Sequence, residues 1–155
     1  MKQGRTLQEL AAEIERRSKN KKDYTVRANA LRMTTQDTDL DPKHAQVGFW
    51  LGDERYGVNN IAHAQIADYL KIPKAYYDRM LAEAPELLAR NVNQWFEEIG
   101  ADKLRMARTM DGNVRALLSN GYRRFENEQF AEAVLPVISD LGLDIMSAEI
   151  TDRRL

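Results

Sequence analysis

The sequence predicts an α+β fold, a mainly antiparallel sheet covered by helices with a central three-helix segment. Three observations predict it: apolar residues alternate in several short segments, recur at helical spacing in longer ones, and flank one Asp-Gly pair. Strands are expected over residues 23–33, 46–58, 103–119 and 143–151. Helices are expected over residues 6–18, 60–99 and 127–141. The chain has neither repeats nor a linker, so residues 1–155 are predicted to form a single domain.

The first helix and strand are predicted from the N-terminal part of the chain. Thr6 followed by Glu9 predicts a capping box, and apolar residues then recur at helical spacing. In the segment DYTVRANALRM, Tyr24, Val26 and Ala28 alternate with polar residues, which predicts one strand. The polar and acidic segment TTQDTDLDPKH is expected to be a loop.

The middle of the chain predicts two short strands and three helices. QVGFWLGDERYGVNN divides into two strands around a Gly-Asp turn, with Phe49 and Trp50 as expected core residues. The helices are expected at 60–70, 74–84 and 85–99. The apolar stripe of the third helix is predicted from five residues: Leu88, Val92, Trp95, Phe96 and Ile99.

The dipeptide Asp111-Gly112, between two strand-like segments, is the strongest local signal in the chain. An Asp-Gly pair in this position predicts a two-residue type I′ turn and therefore a β-hairpin. The helix after it is expected to bend near Pro136 and to end at Gly142. A final strand completes the predicted sheet.

Composition and charge restrict the class of protein. The chain has no cysteine, which excludes disulfides and thiolate metal sites and fits a reducing cytoplasm. It has no apolar segment long enough for a membrane span and no signal peptide, so we expect a cytoplasmic protein. The net charge is −1, yet residues 1–36 carry +5 and residues 101–125 carry +4. These basic blocks indicate either an anion-binding face or ordinary solvated charge.

Residues 63–81, HAQIADYLKIPKAYYDRML, have the spacing of a helix-turn-helix, in which Lys74 and Arg79 would face DNA. Lys71 opposes this interpretation, because the turn usually has glycine at that left-handed position. Asp78 opposes it too, because its carboxylate would point toward phosphates. The segment is therefore predicted either to bind DNA or to be a helical hairpin that only packs.

Four segments carry a resemblance to a known family: FWLGDERYGVNNIAHAQIADYLKIPKAYYDRM, LLARNVNQWF, RTMDGNVRALLSNGYRRFEN and EITDRRL. Together they resemble the phage and plasmid-like family catalogued as domain of unknown function 932. Members are usually longer, and this chain resembles their N-terminal half. The resemblance implies a mobile-element protein in a bacterial host cell, acting in phage DNA metabolism, plasmid maintenance or interference with host defence. It carries over no catalytic residue, because the family has no established activity.

The predicted hairpin concentrates positive charge. A two-residue turn pairs Met110 with Asn113, and this register places Arg108 opposite Arg115, with Arg105 on the other face. Like charges across a ladder are destabilising, so the pair requires an anion. That anion is expected to be a phosphate, a carboxylate of a partner or an acid of this chain.

Basic and aromatic residues continue after the second strand, where Tyr122, Arg123 and Arg124 occur in GYRRFEN. Cations beside aromatic rings suit a single-stranded nucleic acid, since the cations bind phosphates and the rings stack on bases. The alternative is that the arginines are solvated or paired within the chain and that the aromatic residues belong to the core.

These patterns predict a non-enzymatic phage or plasmid-type protein that binds nucleic acid through the basic hairpin. No catalytic residue, metal ligand or cofactor site is predicted. The favoured partner is single-stranded DNA, with no membrane association. The alternative is a protein-protein interaction module, such as a phage inhibitor that binds a host defence complex. The predicted nucleic-acid-binding residues are Arg105, Arg108, Arg115, Tyr122, Arg123, Arg124, Lys74 and Arg79.

Overall fold

The computed structural model divides the chain into two compact units, Lys22–Tyr122 and the pair of segments Met1–Lys21 and Arg123–Leu155. The structure describes residues 6–36, 46–122, 126–143 and 145. The expected final strand lies almost wholly outside the described residues. The single domain expected over residues 1–155 stays a prediction.

The α+β fold is confirmed, with six strands and five helices in the described residues. The strands are β1 (Lys22–Arg27), β2 (Met33–Gln36), β3 (Gln46–Leu51), β4 (Glu54–Val58), β5 (Leu104–Met110) and β6 (Asn113–Ser119). The helices are α1 (Leu7–Asn20), α2 (Asn60–Tyr69), α3 (Lys74–Glu83), α4 (Pro85–Ile99) and α5 (Asn127–Asp140). The central three-helix segment, α2 to α4, is also confirmed.

The six strands form one sheet in the order β1-β5-β6-β4-β3-β2. Every neighbouring pair is antiparallel except β4 and β6, which run parallel and pair only at Gly57 with Asn113 and at Val58 with Val114. Beyond that short pairing, helix α2 lies alongside β6 in the fold. The Gln65 side chain of α2 accepts a hydrogen bond from the Leu117 N–H at 2.8 Å. The helix thus takes the place of a neighbouring strand along the rest of β6.

The prediction of one strand over residues 23–33 is wrong. Strand β1 ends at Arg27, a 3₁₀ turn occupies Ala28–Ala30, and β2 begins at Met33. These two strands are the opposite edges of the sheet, which in a flat sheet would lie about 24 Å apart. The connecting segment can span only about 16 Å, because a 3₁₀ turn rises slowly. The sheet must therefore be strongly curved.

A hydrogen bond across the sheet supports this curvature. The hydroxyl oxygens of Tyr24 in β1 and Tyr56 in β4 lie 2.8 Å apart, and the ring centroids are 5.9 Å apart. Strands β5 and β6 separate these residues in the sheet order. Tyr56 also donates a hydrogen bond to Glu54, which raises the pKa of the Tyr56 hydroxyl.

The core lies on one face of the sheet, which we call the inner face. Phe49 and Leu51 of β3, Ala107 of β5 and Leu117 of β6 face the same small space. Leu31, from the segment that links the two edges, closes that space. The buried residues of α2 and α4 complete the cluster: Ala62, Ile66, Ala67, Leu88, Ala89, Val92 and Phe96.

Two tryptophans that the sequence placed in the core are exposed. Trp95 in α4 is 50% exposed, although Leu88, Val92 and Phe96 of the same predicted stripe are buried. Trp50 in β3 is 48% exposed, because strand alternation turns it away from its neighbour Phe49, which is 2% exposed. The prediction of Trp50 as a core residue is wrong, and the side chain lies on the opposite, outer face of the sheet.

Helix α4 protects the edge of the sheet at β2. The Asn93 amide accepts a hydrogen bond from the Met33 N–H at 2.7 Å and donates one to the Met33 carbonyl at 2.9 Å. A side-chain amide thereby replaces the neighbouring strand that an edge residue lacks. The helix begins with Pro85 in its first turn and is capped by Gly100, whose φ is 81°.

The unit formed by the terminal segments contains α1 and α5. Helix α1 has the predicted capping box: Glu9 N–H donates to the Thr6 hydroxyl at 3.2 Å, and Thr6 N–H donates to the Glu9 carboxylate at 2.8 Å. Helix α5 includes Pro136, as expected, and Gly142 after its end has φ 64°. Lys21 and Glu126 form an ion pair at 2.7 Å within this unit.

The Asn93 contact gives a test of the protection of the edge strand β2. Asn93→Ala leaves the Met33 N–H and carbonyl without their amide partner, so the free energy of unfolding should fall by about 2 kcal/mol. Urea denaturation measures this change. Gln94→Ala is the matched control, because the Gln94 amide bonds only the exposed Glu98 and its removal should change stability little. Equal effects of the two variants would contradict the edge-protecting role of Asn93.

Candidate nucleic-acid interface

The hairpin between β5 and β6 has the predicted turn but not the predicted register. Asp111 and Gly112 have φ 51° and 77°, as a type I′ turn requires, and Met110 pairs with Asn113. A β-bulge then shifts the ladder, so Arg108 lies opposite Ala116. The prediction that Arg108 faces Arg115 is therefore wrong, since Arg115 is the extra residue of the bulge.

Arg108 has its anion within the chain. Its Nε and Nη2 donate to the two carboxylate oxygens of Asp23 at 2.8 and 3.0 Å. Asp23 lies directly opposite Arg108 on the neighbouring strand β1, and Arg108 is only 7% exposed. Of the three anions that the sequence left open, an acid of this chain is the one observed. This guanidinium is a structural group rather than part of a surface.

Arg105 lies on the inner face and packs against α2. Its guanidinium carbon is 3.4 Å from the ring centroid of Tyr69, which in turn contacts the ring of Phe96. The Nε atom of Arg105 is buried and has no hydrogen-bond partner in the described residues. Cation–π stacking in such a desolvated position stabilises the packing of the helix on the sheet. Arg105 is therefore occupied by a contact within the fold.

The remaining predicted hairpin residues do not form a group with these two arginines. Arg115 is half-buried, and its Nη1 lies 3.8 Å from the sulfur of Met110. Tyr122 is 37% exposed, beyond the end of β6. Arg123 and Arg124 lie outside the described residues. The continuous basic surface expected along the hairpin is therefore not what the described residues present.

Residues 63–81, which have the spacing of a helix-turn-helix, form a packed helical hairpin of α2 and α3. Lys71 in the turn adopts the left-handed conformation, with φ 57°, and Ile72 N–H bonds the Ala67 carbonyl at 2.9 Å. The inward-facing residues of the two helices and the turn are buried, among them Ala67, Leu70, Ile72, Tyr77 and Met80. Lys74 and Arg79 are exposed on α3, as expected.

Both cations on the exposed face of α3 are paired. Lys74 forms an ion pair with Asp78, and Arg79 Nε lies 3.0 Å from the Glu83 carboxylate. Each pair has the i, i+4 spacing of neighbours on a helix surface. These four side chains therefore carry no net charge, although each exposed pair is held only weakly.

A buried histidine links the two helices of this hairpin. His63 in α2 is 5% exposed, and its Nδ1 lies 2.8 Å from the Tyr77 hydroxyl of α3. Burial, together with the nearby Lys74 charge, lowers the pKa of His63 from 6.5 to about 4. Burial also raises the pKa of the Tyr77 hydroxyl. Both groups are therefore neutral near pH 7, as a packing contact between the helices requires.

The outer face of β2, β3 and β4 carries a pair that the sequence did not single out. Trp50 of β3 lies directly opposite Arg55 of β4, so both side chains are on this face. The Arg55 guanidinium extends over Gly48 toward β2. A Cβ atom at Gly48 would lie 2.8 Å from the guanidinium carbon and 2.6 Å from the Tyr56 carbonyl oxygen. Glycine is therefore required for the guanidinium to lie this close to the strands.

Four hydrogen bonds hold the Arg55 guanidinium, and all of their acceptors are neutral. Nε donates to the Thr34 hydroxyl at 3.3 Å, and Nη1 donates to the Gln36 side chain at 3.2 Å. Nη2 donates to the Thr34 carbonyl at 3.3 Å and to the Gln46 carbonyl at 2.7 Å. No carboxylate of the described residues forms an ion pair with it. Arg55 thus contrasts with Arg108, whose charge is neutralised by Asp23.

Two sequence signals could have indicated this pair. Phe49 and Trp50 are adjacent in a strand, so alternation assigns them to opposite faces. Gly48 and Gly57 lie within strands, where glycine often marks the close approach of another group. The position of Arg55 over Gly48 follows from neither signal, because it depends on the register between β3 and β4.

The described residues contain no group of three His, Asp or Glu side chains that could hold a metal ion. In the same part of the chain, no helix is long and apolar enough to cross a bilayer. Comparisons of the chain with protein-family models, with curated proteins and with solved structures give no match. The resemblance to domain of unknown function 932 stays a prediction.

The Arg108–Asp23 pair predicts a large stability effect. Asp23→Ala removes the bidentate acceptor of a buried guanidinium, so the free energy of unfolding should fall by about 3 kcal/mol. Glu97→Ala is the control, because it breaks the Arg32–Glu97 pair, in which both side chains are about half exposed, and should cost less than about 1 kcal/mol. Urea denaturation of the two variants compares them. A loss for Asp23→Ala no greater than for the control would contradict the structural role of Arg108.

The lowered pKa of His63 predicts a pH dependence. When the pH is lowered from 7 to 5, the unfolded chain takes up a proton on His63 and the folded chain does not. The free energy of unfolding therefore falls as the pH is lowered. The loss should be about 2 kcal/mol at pH 5, and His63→Gln should lack this part of the slope. Denaturation at both pH values measures it, and an NMR titration of His63 checks the pKa directly. Protonation of folded His63 near pH 6.5 would contradict the account.

Proposed function

We propose that this protein is a non-enzymatic nucleic-acid-binding protein that contacts its ligand on the outer face of β2, β3 and β4. The observation that carries the proposal is the arrangement of Arg55. Its side chain is fixed by four hydrogen bonds to neutral acceptors, and it keeps its full positive charge on a sheet face beside an exposed tryptophan. The site differs from the basic hairpin that the sequence predicted.

An arginine held in this way is prepared to bind an anion. A guanidinium is always charged, and phosphate recognition is among its most frequent roles in proteins. Because the neutral acceptors fix the side chain before the ligand arrives, binding costs little additional conformational entropy. The surrounding acceptors do not cancel the charge, so an approaching phosphate meets an attractive field.

The other candidate cations support this choice by contrast. Arg108 is buried against Asp23, Arg105 is stacked on Tyr69, and the α3 cations are paired with Asp78 and Glu83. The proposed interface therefore uses Arg55 as its fixed cation.

The proposal predicts how a charge-removing variant behaves. Arg55→Gln should weaken binding of a labelled oligonucleotide about tenfold and reduce the slope of log affinity against log salt by about one, because one phosphate contact is lost. Fluorescence anisotropy at ~50 and ~200 mM salt measures both quantities. Circular dichroism and urea denaturation confirm that the variant is folded.

Arg79→Gln is the matched control, since Arg79 is 71% exposed on α3 and paired with Glu83. It should bind like the parent. If Arg79→Gln weakens binding and Arg55→Gln does not, the helix-turn-helix is the interface and the proposed site is wrong. If the parent chain binds neither single-stranded nor duplex DNA nor RNA at low salt, the proposed function itself is wrong.

A second candidate function is a protein-protein interaction module, such as an inhibitor that binds a host defence complex. It is favoured by the exposed apolar side chains of the central helices: Tyr76 in α3 (46% exposed) and Leu87 and Trp95 in α4 (38% and 50% exposed). Aromatic residues are enriched where proteins bind one another. The test is a stoichiometric complex with a purified host protein that the parent chain forms and a Tyr76→Ala, Trp95→Ala variant does not.

A further inference from the structure

We infer that Trp50 and the Arg55 guanidinium form one stacking platform for unpaired nucleobases, so that the ligand is a single strand. The inference rests on the proposed function and names the substrate class of the same site. It depends on three observations: the exposure of Trp50, the orientation of Arg55 and the glycines between them.

Trp50 offers a large aromatic surface without an evident role in the core. It is 48% exposed at the next-to-last position of β3, a six-residue strand whose inward residues Phe49 and Leu51 are each 2% exposed. A tryptophan on a sheet face stands roughly perpendicular to the sheet and is held by the strand on both sides. Such a ring can stack on a base with little loss of conformational freedom, because it has only two rotatable bonds.

The guanidinium of Arg55 adds a second planar group on the same face of the sheet. Its N–H groups are directed, within their plane, at acceptors on Thr34, Gln36 and Gln46. What remains for a ligand is mainly the face of the guanidinium and its charge. Bases stack on guanidinium planes as they do on aromatic rings, and the phosphates that accompany the base interact with the same positive charge.

Two glycines allow polar side chains to approach the strands closely at the platform. A Cβ atom at Gly48 would collide with Arg55, and one at Gly57 would lie 2.4 Å from the Asn113 side-chain oxygen. These two glycines are paired with each other across β3 and β4. Gly48 thus gives the Arg55 guanidinium room close to the strands, and Gly57 does the same for the Asn113 side chain.

A platform of this kind distinguishes single strands from duplexes. In a duplex, each base is covered on both faces by its neighbours. A ring of the protein can stack on such a base only after the base is unstacked from them, which costs free energy. In a single strand, a base can turn toward the protein and stack on an aromatic ring regardless of its identity. An acidic peptide could pair with Arg55, but it would leave the exposed area of Trp50 without a matching planar group.

The test uses the full chain with Trp95→Phe, which leaves Trp50 as the only tryptophan. A single-stranded oligonucleotide of about 10 nucleotides should quench Trp50 fluorescence and bind more tightly than an abasic oligonucleotide or a duplex of equal charge. Trp50→Leu should bind the single strand about tenfold more weakly, whereas Trp50→Phe should retain most of the affinity. Trp95→Leu, which alters the other exposed tryptophan on α4, is the control and should bind like the parent.

Equal binding of the abasic and normal oligonucleotides, without quenching, would overturn the inference. If Arg55→Gln still weakened binding in that case, the proposed function would stand and only the stacking platform would be wrong. Tighter binding of the duplex than of the single strand would also overturn the inference. If no oligonucleotide binds, or if only a polyglutamate peptide quenches Trp50, both the inference and the proposed function fail.

Discussion

The rest of the Lys22–Tyr122 unit depends on one covalent constraint, the short connection between the two edge strands of its sheet. Arg27 ends β1 and Met33 begins β2, yet these strands are the opposite edges of six. Because so few residues join the edges, the sheet has to curve, and its inner face closes around Leu31. The curvature also explains how Tyr24 and Tyr56 meet across two intervening strands. The hydrophobic cluster lies on the inner face, and the outer face of β2, β3 and β4 carries Trp50 and Arg55.

The arginines at the candidate sites differ in their surroundings: Arg108 and Arg105 use their charge within the fold, whereas Arg55 has neutral acceptors among the described residues. Arg108 is desolvated, which is favourable only because Asp23 offers a bidentate carboxylate. Arg105 has an aromatic ring as its main partner, which compensates a buried guanidinium less completely than a carboxylate does. Among the described residues Arg55 has only neutral acceptors, and its side chain is partly exposed, so water screens the charge and the absence of a counter-ion there costs little. The proposed interface follows from this difference in environment and not from the number of basic residues in a segment.

Local chemistry explains which parts of this structure the sequence predicted. The capping box at Thr6 and the type I′ turn at Asp111-Gly112 depend on residues close together in the chain, and both were predicted. The register of the hairpin was not, because nothing near the turn indicates that Arg115 is an extra residue. The break after Arg27 was missed because alternating alanines continue the strand pattern through a 3₁₀ turn. The candidate site was missed for a similar reason, since Arg55 meets Gly48 and Thr34 only through the pairing of three strands.

The central claim is that the outer face of β2, β3 and β4 is the ligand-binding surface, and an NMR titration of the isotope-labelled full chain tests it most directly. A single-stranded oligonucleotide is added stepwise while the backbone amides, the tryptophan indole N–H groups and the arginine Nε–H groups are followed. The account predicts the largest shifts at the Trp50 indole, the Arg55 Nε–H and the amides of Gly48 and Gly57. Shifts confined to the hairpin turn at Asp111 or to the start of α3 at Lys74, or no shifts at all, would contradict it.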